Sequence, residues 1–147
     1  MSGYLLDTSV TSMFAPGRPS VRPEVAEWMR RHNRRLHLSA ITIFEATQGI
    51  AKLERLRAAK RARELTGWLD TLIASFDPRV LDVDHNVAHS AGALADHAIA
   101  IGRHPGAADI LIAATARVHN LTLLTGNLRH FAPLGIDVVD PLVSLPD

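Results

Sequence analysis

Short apolar runs alternate along the chain with longer stretches in which apolar residues return every three or four positions. The first run, Tyr4-Leu5-Leu6, stops at Asp7-Thr8-Ser9. It reads as a buried strand that delivers Asp7 into a helix start, with Asp7 or Thr8 as the N-cap. Pro16-Gly17 closes that short helix, and Pro19 and Pro23 bracket the start of another with Val21, Val25, Trp28 and Met29 as its apolar stripe. Residues 36–40 alternate and predict a second strand. Residues 41–56 then follow a helical beat through Ile43, Ala46, Thr47, Ile50 and Leu53, with Glu45 near the beginning and beside the inward face.

A further helix is predicted over 57–76, its buried side marked by Ala62, Leu65, Leu69, Leu72, Ile73 and Phe76, before Asp77-Pro78 stops it. Residues 79–83 look strand-like, and Asp84 caps a helix running to about Ile101. After a loop over 102–106 comes Gly106-Ala-Ala-Asp-Ile-Leu-Ile-Ala-Ala-Thr-Ala116, apolar almost all round and therefore a helix packed inside a domain. Strands are predicted over 121–125, ending at Gly126-Asn127, and over 136–139. Strands alternating with helices give an α/β fold, a central mainly parallel sheet flanked by helices. No repeat, low-complexity tract or linker divides residues 1–147, which read as a single domain.

Composition removes several alternatives. There is no cysteine, so disulfides, thiolate metal sites and cysteine nucleophiles are excluded. The first seven residues lack the basic and apolar regions of a signal peptide. No apolar run approaches the roughly 18 residues of a membrane span, so a cytoplasmic location is expected. Net charge is +1, but residues 28–63 carry ten Lys and Arg against two acids, while residues 64–147 carry four against ten. A basic surface beside an acidic half suits a polyanionic ligand, with the acids free to hold metal; solvated helix faces would give the same pattern.

Asp109 is the acid that the apolar pattern does not accommodate. Its place in the first turn of a helix lets the dipole favour it, yet a desolvated carboxylate also needs a partner, a hydrogen bond or a cation. Asp7 follows a strand directly, Glu45 opens the helix after the second strand, and Asn127 follows the strand that ends near Thr125. Such strand-to-helix junctions at the carboxyl ends of a parallel sheet are where these folds build sites. If Asp7, Glu45 and Asp109 converge, each raises the others' proton affinity and the cluster needs a cation to stay ionised. Hard oxygen ligands suit magnesium or manganese, which with a basic rim can align a phosphodiester and activate water.

Leu5-Leu6-Asp7-Thr8-Ser9, Phe44-Glu45 with Gly49, Ala108-Asp109 through Ala116, and Leu124-Thr125-Gly126-Asn127 with Phe131 resemble, in order and spacing, the four motifs of PIN-domain nucleases. The length is most similar to the VapC-type ribonuclease toxins of type II toxin–antitoxin pairs, including their FitB-like branch. The resemblance implies a three-layer PIN-like domain and a magnesium-dependent endoribonuclease, with Mn²⁺ as a substitute. Asp7, Glu45 and Asp109 would bind metal, and Asn127 would fill the corner where many relatives have a fourth aspartate. Thr8 would orient Asp7 or a bound water, and Thr125 would support the Asn127 corner. Water would attack phosphorus to leave a 5′-phosphate and a 3′-hydroxyl. A homodimer is implied, as is a cognate VapB-like antitoxin that joins it in a hetero-oligomer and carries the contact to operator DNA. The alternative is a non-catalytic, FitB-like partner in an operator-DNA-binding regulatory complex, motivated by the missing charge at Asn127.

Arg30, Arg31, Arg34 and Arg35 are candidates for RNA or partner contact. Trp28 and Trp68, at helical spacing from apolar neighbours, read as core or dimer contacts. His85 and His89 stand one helical turn apart, but Asn86 occupies the place where a zinc-protease helix carries glutamate, so a solvated face is expected there.

Overall fold

The computed structural model describes residues 3–147; Met1 and Ser2, which begin the segment read above as lacking signal-peptide character, lie outside the described residues. Five strands, β1 (Tyr4–Leu6), β2 (Leu36–Ser39), β3 (Val80–Leu81), β4 (Thr122–Leu124) and β5 (Val138–Val139), form one sheet in the order β3-β2-β1-β4-β5. Every pairing is parallel. The helices are α1 (Thr8–Thr11), α2 (Pro23–Arg31), α3 (Ala40–Arg55), α4 (Ala59–Phe76), α5 (His85–Ala100), α6 (Ala107–Val118) and α7 (Leu128–Phe131). This is the expected α/β architecture.

Side chains alternate across the pleat and so divide the core. Leu5 and Leu123 face one way and pack with Val87 and Leu94 of α5, Ile112 and Ala113 of α6, and Phe131 of α7. Tyr4, Leu6 and Leu124 face the other way, against Val25 and Trp28 of α2 and Phe76 of α4. Ile50 of α3 and Ala62 and Leu69 of α4 form a small third core inside the α3–α4 hairpin, with Trp68 partly buried against it. The α6 segment is buried continuously from Ile112 to Ala116, as its apolar pattern requires.

The strands are shorter than their apolar runs, yet the ladder continues beyond them: Asp7 N–H donates to Leu124 O (2.9 Å) and Thr125 N–H to Val139 O (3.0 Å). The break between α3 and α4 has a local cause. Arg57 takes a left-handed φ of 62°, while Ala58 N–H reaches Leu53 O and Arg57 N–H reaches Glu54 O. This is a Schellman stop formed without glycine. Asp84 caps α5 as expected, accepting from Val87 N–H at 2.9 Å. Asp7 sits at the N-cap position of α1 but makes no side-chain cap bond, because its carboxylate is engaged elsewhere. Among the described residues no helix is long and apolar enough to cross a membrane.

Candidate active site

The strand order reverses at β1: the chain runs outward through β2 and β3, then restarts beside β1 with β4. The carboxyl ends of β1 and β4 therefore flank the switch point, where open parallel sheets place ligands. Asp7 leaves β1 there and is only 3% exposed. Its Oδ2 accepts from Ser9 Oγ at 2.9 Å and from Thr125 Oγ1 at 2.8 Å. Both hydroxyls are themselves fixed, Ser9 Oγ accepting from Gly126 N–H at 3.0 Å and Thr125 Oγ1 from Asn127 N–H at 2.9 Å. Hydroxyl donors stabilise a carboxylate that would otherwise be costly to desolvate. The loop after β4 is thus tied to Asp7 from two sides.

Glu45 enters from α3, whose start is capped by Ser39 accepting from Ile41 N–H at 3.0 Å. Thr8 Oγ1 donates to Glu45 Oε1 at 2.6 Å and stands 3.0 Å from Thr42 Oγ1. Of the two roles expected for Thr8, orienting Asp7 or a bound water, the first is not seen: the Thr8 hydroxyl turns toward α3, and Ser9, two residues beyond Asp7, bonds that carboxylate. Thr125 supports Asp7 itself.

Asp109 lies in the first turn of α6, which begins at Gly106 without a side-chain cap bond. Its side chain is 24% exposed, and Oδ2 stands 3.1 Å from Nδ1 of His130 on α7. Asn127 is exposed and precedes α7, holding the loop through its backbone N–H, with no side-chain cap bond.

One oxygen of each acid is engaged: Oδ2 of Asp7, Oε1 of Glu45 and Oδ2 of Asp109. No buried side-chain oxygen among the described residues lacks a hydrogen-bond partner. The second oxygens of the three acids, to which these bonds do not run, therefore keep some access to solvent. A set of hard carboxylate oxygens, each oriented through its other oxygen, fits a magnesium-like cation. Among the described residues no group of three or more His, Asp or Glu is placed so that it could hold a metal ion, so the acids would have to draw closer around one.

A groove of about 280 Å³ opens beside Thr8 and Glu45, with Arg18, Arg61, Leu65 and Trp68 on its walls. The Arg61 guanidinium donates to the Pro16 carbonyl and lies 3.7 Å from Glu64. Gly17 beside it has φ +80°, which favours glycine, and a Cβ there would have to displace the Arg61 guanidinium, 2.8 Å away. Arg18 and Arg61 therefore share this groove with Glu45. Arg30, Arg31, Arg34 and Arg35 stand before β2, at the opposite, amino edge of the sheet. Arg30 is paired with Glu27 at 2.7 Å, and Arg35 lies over the Tyr4 ring. The hydrogen bond from Arg30 holds the Glu27 carboxyl below its ordinary range and raises the guanidinium in turn. His85 and His89 are exposed on α5, as expected of a solvated face.

Ser9, His130, Arg18 and Arg61 were not singled out in the sequence as site residues. Ser9 had a local signal, adjacency to Asp7-Thr8. Arg61 is one of the basic run 28–63, while Arg18 and His130 carry no local signal, because what they face lies on other elements.

A family model for the PIN domain matches residues 4–134. The chain belongs to the PIN-domain family. It is 33% identical to toxin FitB of Neisseria gonorrhoeae, over 93% of this chain and 96% of that protein. It is 31% identical, with the same coverage, to VapC ribonuclease Y4jK of Sinorhizobium fredii. Among solved structures, FitAcB from Neisseria gonorrhoeae superposes with a TM-score of 0.80 at 33% identity, covering 95% of this PIN domain and 98% of that chain. DNA-bound VapBC from Salmonella typhimurium gives 0.80 at 25% identity, with the same coverage.

Proposed function

We propose that this PIN domain, spanning residues 1–147, is a magnesium-dependent endoribonuclease that acts as the toxin of a toxin–antitoxin pair. The observation that carries the reading is the state of the three acids. Asp7, Glu45 and Asp109 come from distant parts of the chain, and each has one oxygen fixed by a neighbour and one left over. The relatives named as a toxin and as a ribonuclease support the same reading.

Asp7, Glu45 and Asp109 would hold Mg²⁺, with Mn²⁺ as a substitute. When bound, such an ion supplies an acidified water and charge neutralisation at phosphorus. The chain's own residues do the rest. Ser9 and Thr125 keep Asp7 in one orientation, and Thr8 does so for Glu45, so these two carboxylates would meet the ion already oriented. Arg18 and Arg61 receive the RNA backbone along the groove through its phosphates. In-line attack of water forms the new P–O bond as the P–O3′ bond breaks, leaving a 5′-phosphate and a 3′-hydroxyl. Asn127 stands at the fourth corner with an amide able to orient water but carrying no charge. The protein works in the cytoplasm as a homodimer. A VapB-like antitoxin binds it there and alone contacts operator DNA, as the complexes and DNA-bound assemblies among its relatives suggest.

Purified protein incubated with total RNA and Mg²⁺ tests the proposal. RNA should be cut in Mg²⁺, remain intact in EDTA, and remain intact with the Asp7→Asn and Asp109→Asn variants. Cleavage that survives EDTA or both substitutions would remove the reading. No observation favours the non-catalytic alternative.

A further inference from the structure

His130 has no role in the chemistry so far, yet its imidazole is the side-chain partner of Asp109 among the described residues, at 3.1 Å. The contact does not depend on chance surface geometry. Phe131, the next residue, is 0% exposed and packs in the same core as Ile110 and Ile112, the neighbours of Asp109 on α6. Leu134 anchors the following turn in that core as well. The backbones bearing His130 and Asp109 are thus fixed relative to each other by packing, and the ring, 58% exposed, lies over the carboxylate without being buried. Asp109 stands in the first turn of α6, and no other side chain hydrogen-bonds it among the described residues.

We propose that His130 is the positioning residue for Asp109. An ionised carboxylate only accepts, so Nδ1 carries the hydrogen in this contact and Oδ2 is held by it. Oδ1 is then turned toward the cation. His130 thereby supplies, from α7 three residues beyond Asn127, a support for Asp109. A ligating carboxylate fixed by an outer hydrogen bond is a recurring means of tuning metal affinity.

The inference rests on the nuclease reading for its consequence but not for its test. Mn²⁺ binding, followed by the loss of the free-ion electron paramagnetic resonance signal, is compared in wild type, His130→Ala and His130→Asn. Asparagine places an amide N–H near the position of Nδ1. His130→Ala should weaken Mn²⁺ binding by about 10- to 100-fold, lower kcat on RNA and leave KM nearly unchanged, and His130→Asn should recover most of the loss. In metal-free protein, the ¹⁵N signals of the His130 ring should show hydrogen on Nδ1 and lose that preference in Asp109→Asn. Wild-type affinity in His130→Ala, no gain from asparagine, or a ring indifferent to Asp109→Asn would each overturn the inference. A protein that binds Mn²⁺ in this His130-dependent way but cuts no RNA would refute the nuclease reading alone.

Discussion

Asp7 and Asp109 are acids of one proposed site held in opposite ways. Asp7 is buried at the switch point of the sheet, with two hydroxyls on one oxygen and each hydroxyl tied to a backbone N–H of the β4–α7 loop. Asp109 is partly exposed, and its neighbour is a single imidazole on a four-residue helix. The first arrangement belongs to the architecture: remove it and buried donors lose their acceptor. The second leaves the carboxylate open to solvent on a fixed backbone. The proposed site therefore has one rigid, enclosed wall and one exposed wall.

The largest expected effect treats the two acids alike. Asp7→Asn and Asp109→Asn should each lower the initial rate of RNA cleavage on the order of a thousandfold, and a loss under tenfold for either would take that acid out of the site. Thermal unfolding should separate them. Asp7→Ala leaves the Ser9 and Thr125 hydroxyls unpaired and should cost about 1–3 kcal/mol, or several degrees in Tm. Asp109→Ala should cost about 0–1 kcal/mol, and equal losses would break the contrast.

Thr125→Val probes the rigid wall alone. Thr125 is fully buried, donates to Asp7 and accepts from Asn127, so both partners lose a bond. A drop of about 1–3 kcal/mol in unfolding free energy should accompany Mn²⁺ binding weakened about 10- to 100-fold. Unchanged stability would show that the loop is not held through this hydroxyl.

The basic regions offer a smaller contrast. Arg18→Ala and Arg61→Ala should each reduce the salt dependence of RNA binding by about one unit of log–log slope, measured by fluorescence anisotropy. Arg34→Ala, at the amino edge, should change it little. The reverse ranking would move the RNA path to the other end of the sheet.

Smallest of all is the surface pair. The Arg30 hydrogen bond keeps the Glu27 carboxyl below its usual 4.5. Its contribution is therefore present above that value and lost as pH falls through the lowered one. The Tm difference between wild type and Glu27→Gln should be slight at neutral pH, close on acidification and shrink in salt. A difference that grows toward acid would reverse the assignment.

Much of this protein follows from local pattern. The period of apolar residues places β1, β2 and most helices, the apolar 106–116 stretch demands the buried α6, and acids at helix starts mark Asp7, Glu45 and Asp109 as candidates. These features depend on neighbours within a turn or a strand. Strand ends and the short α7 escaped that reading, because ladder bonds and the burial of Phe131 set them. Tertiary structure alone decided what touches the acids. Thr8 serves Glu45 across 37 positions, Thr125 serves Asp7 across 118, and His130 meets Asp109 across 21. It also decided that Arg18 and Arg61, not the denser Arg30–Arg35 run, stand in the groove beside Glu45. Charge density is written along the chain, but a parallel sheet sends the two ends of β2 to opposite edges. A basic cluster just before that strand is therefore carried away from a site just after it.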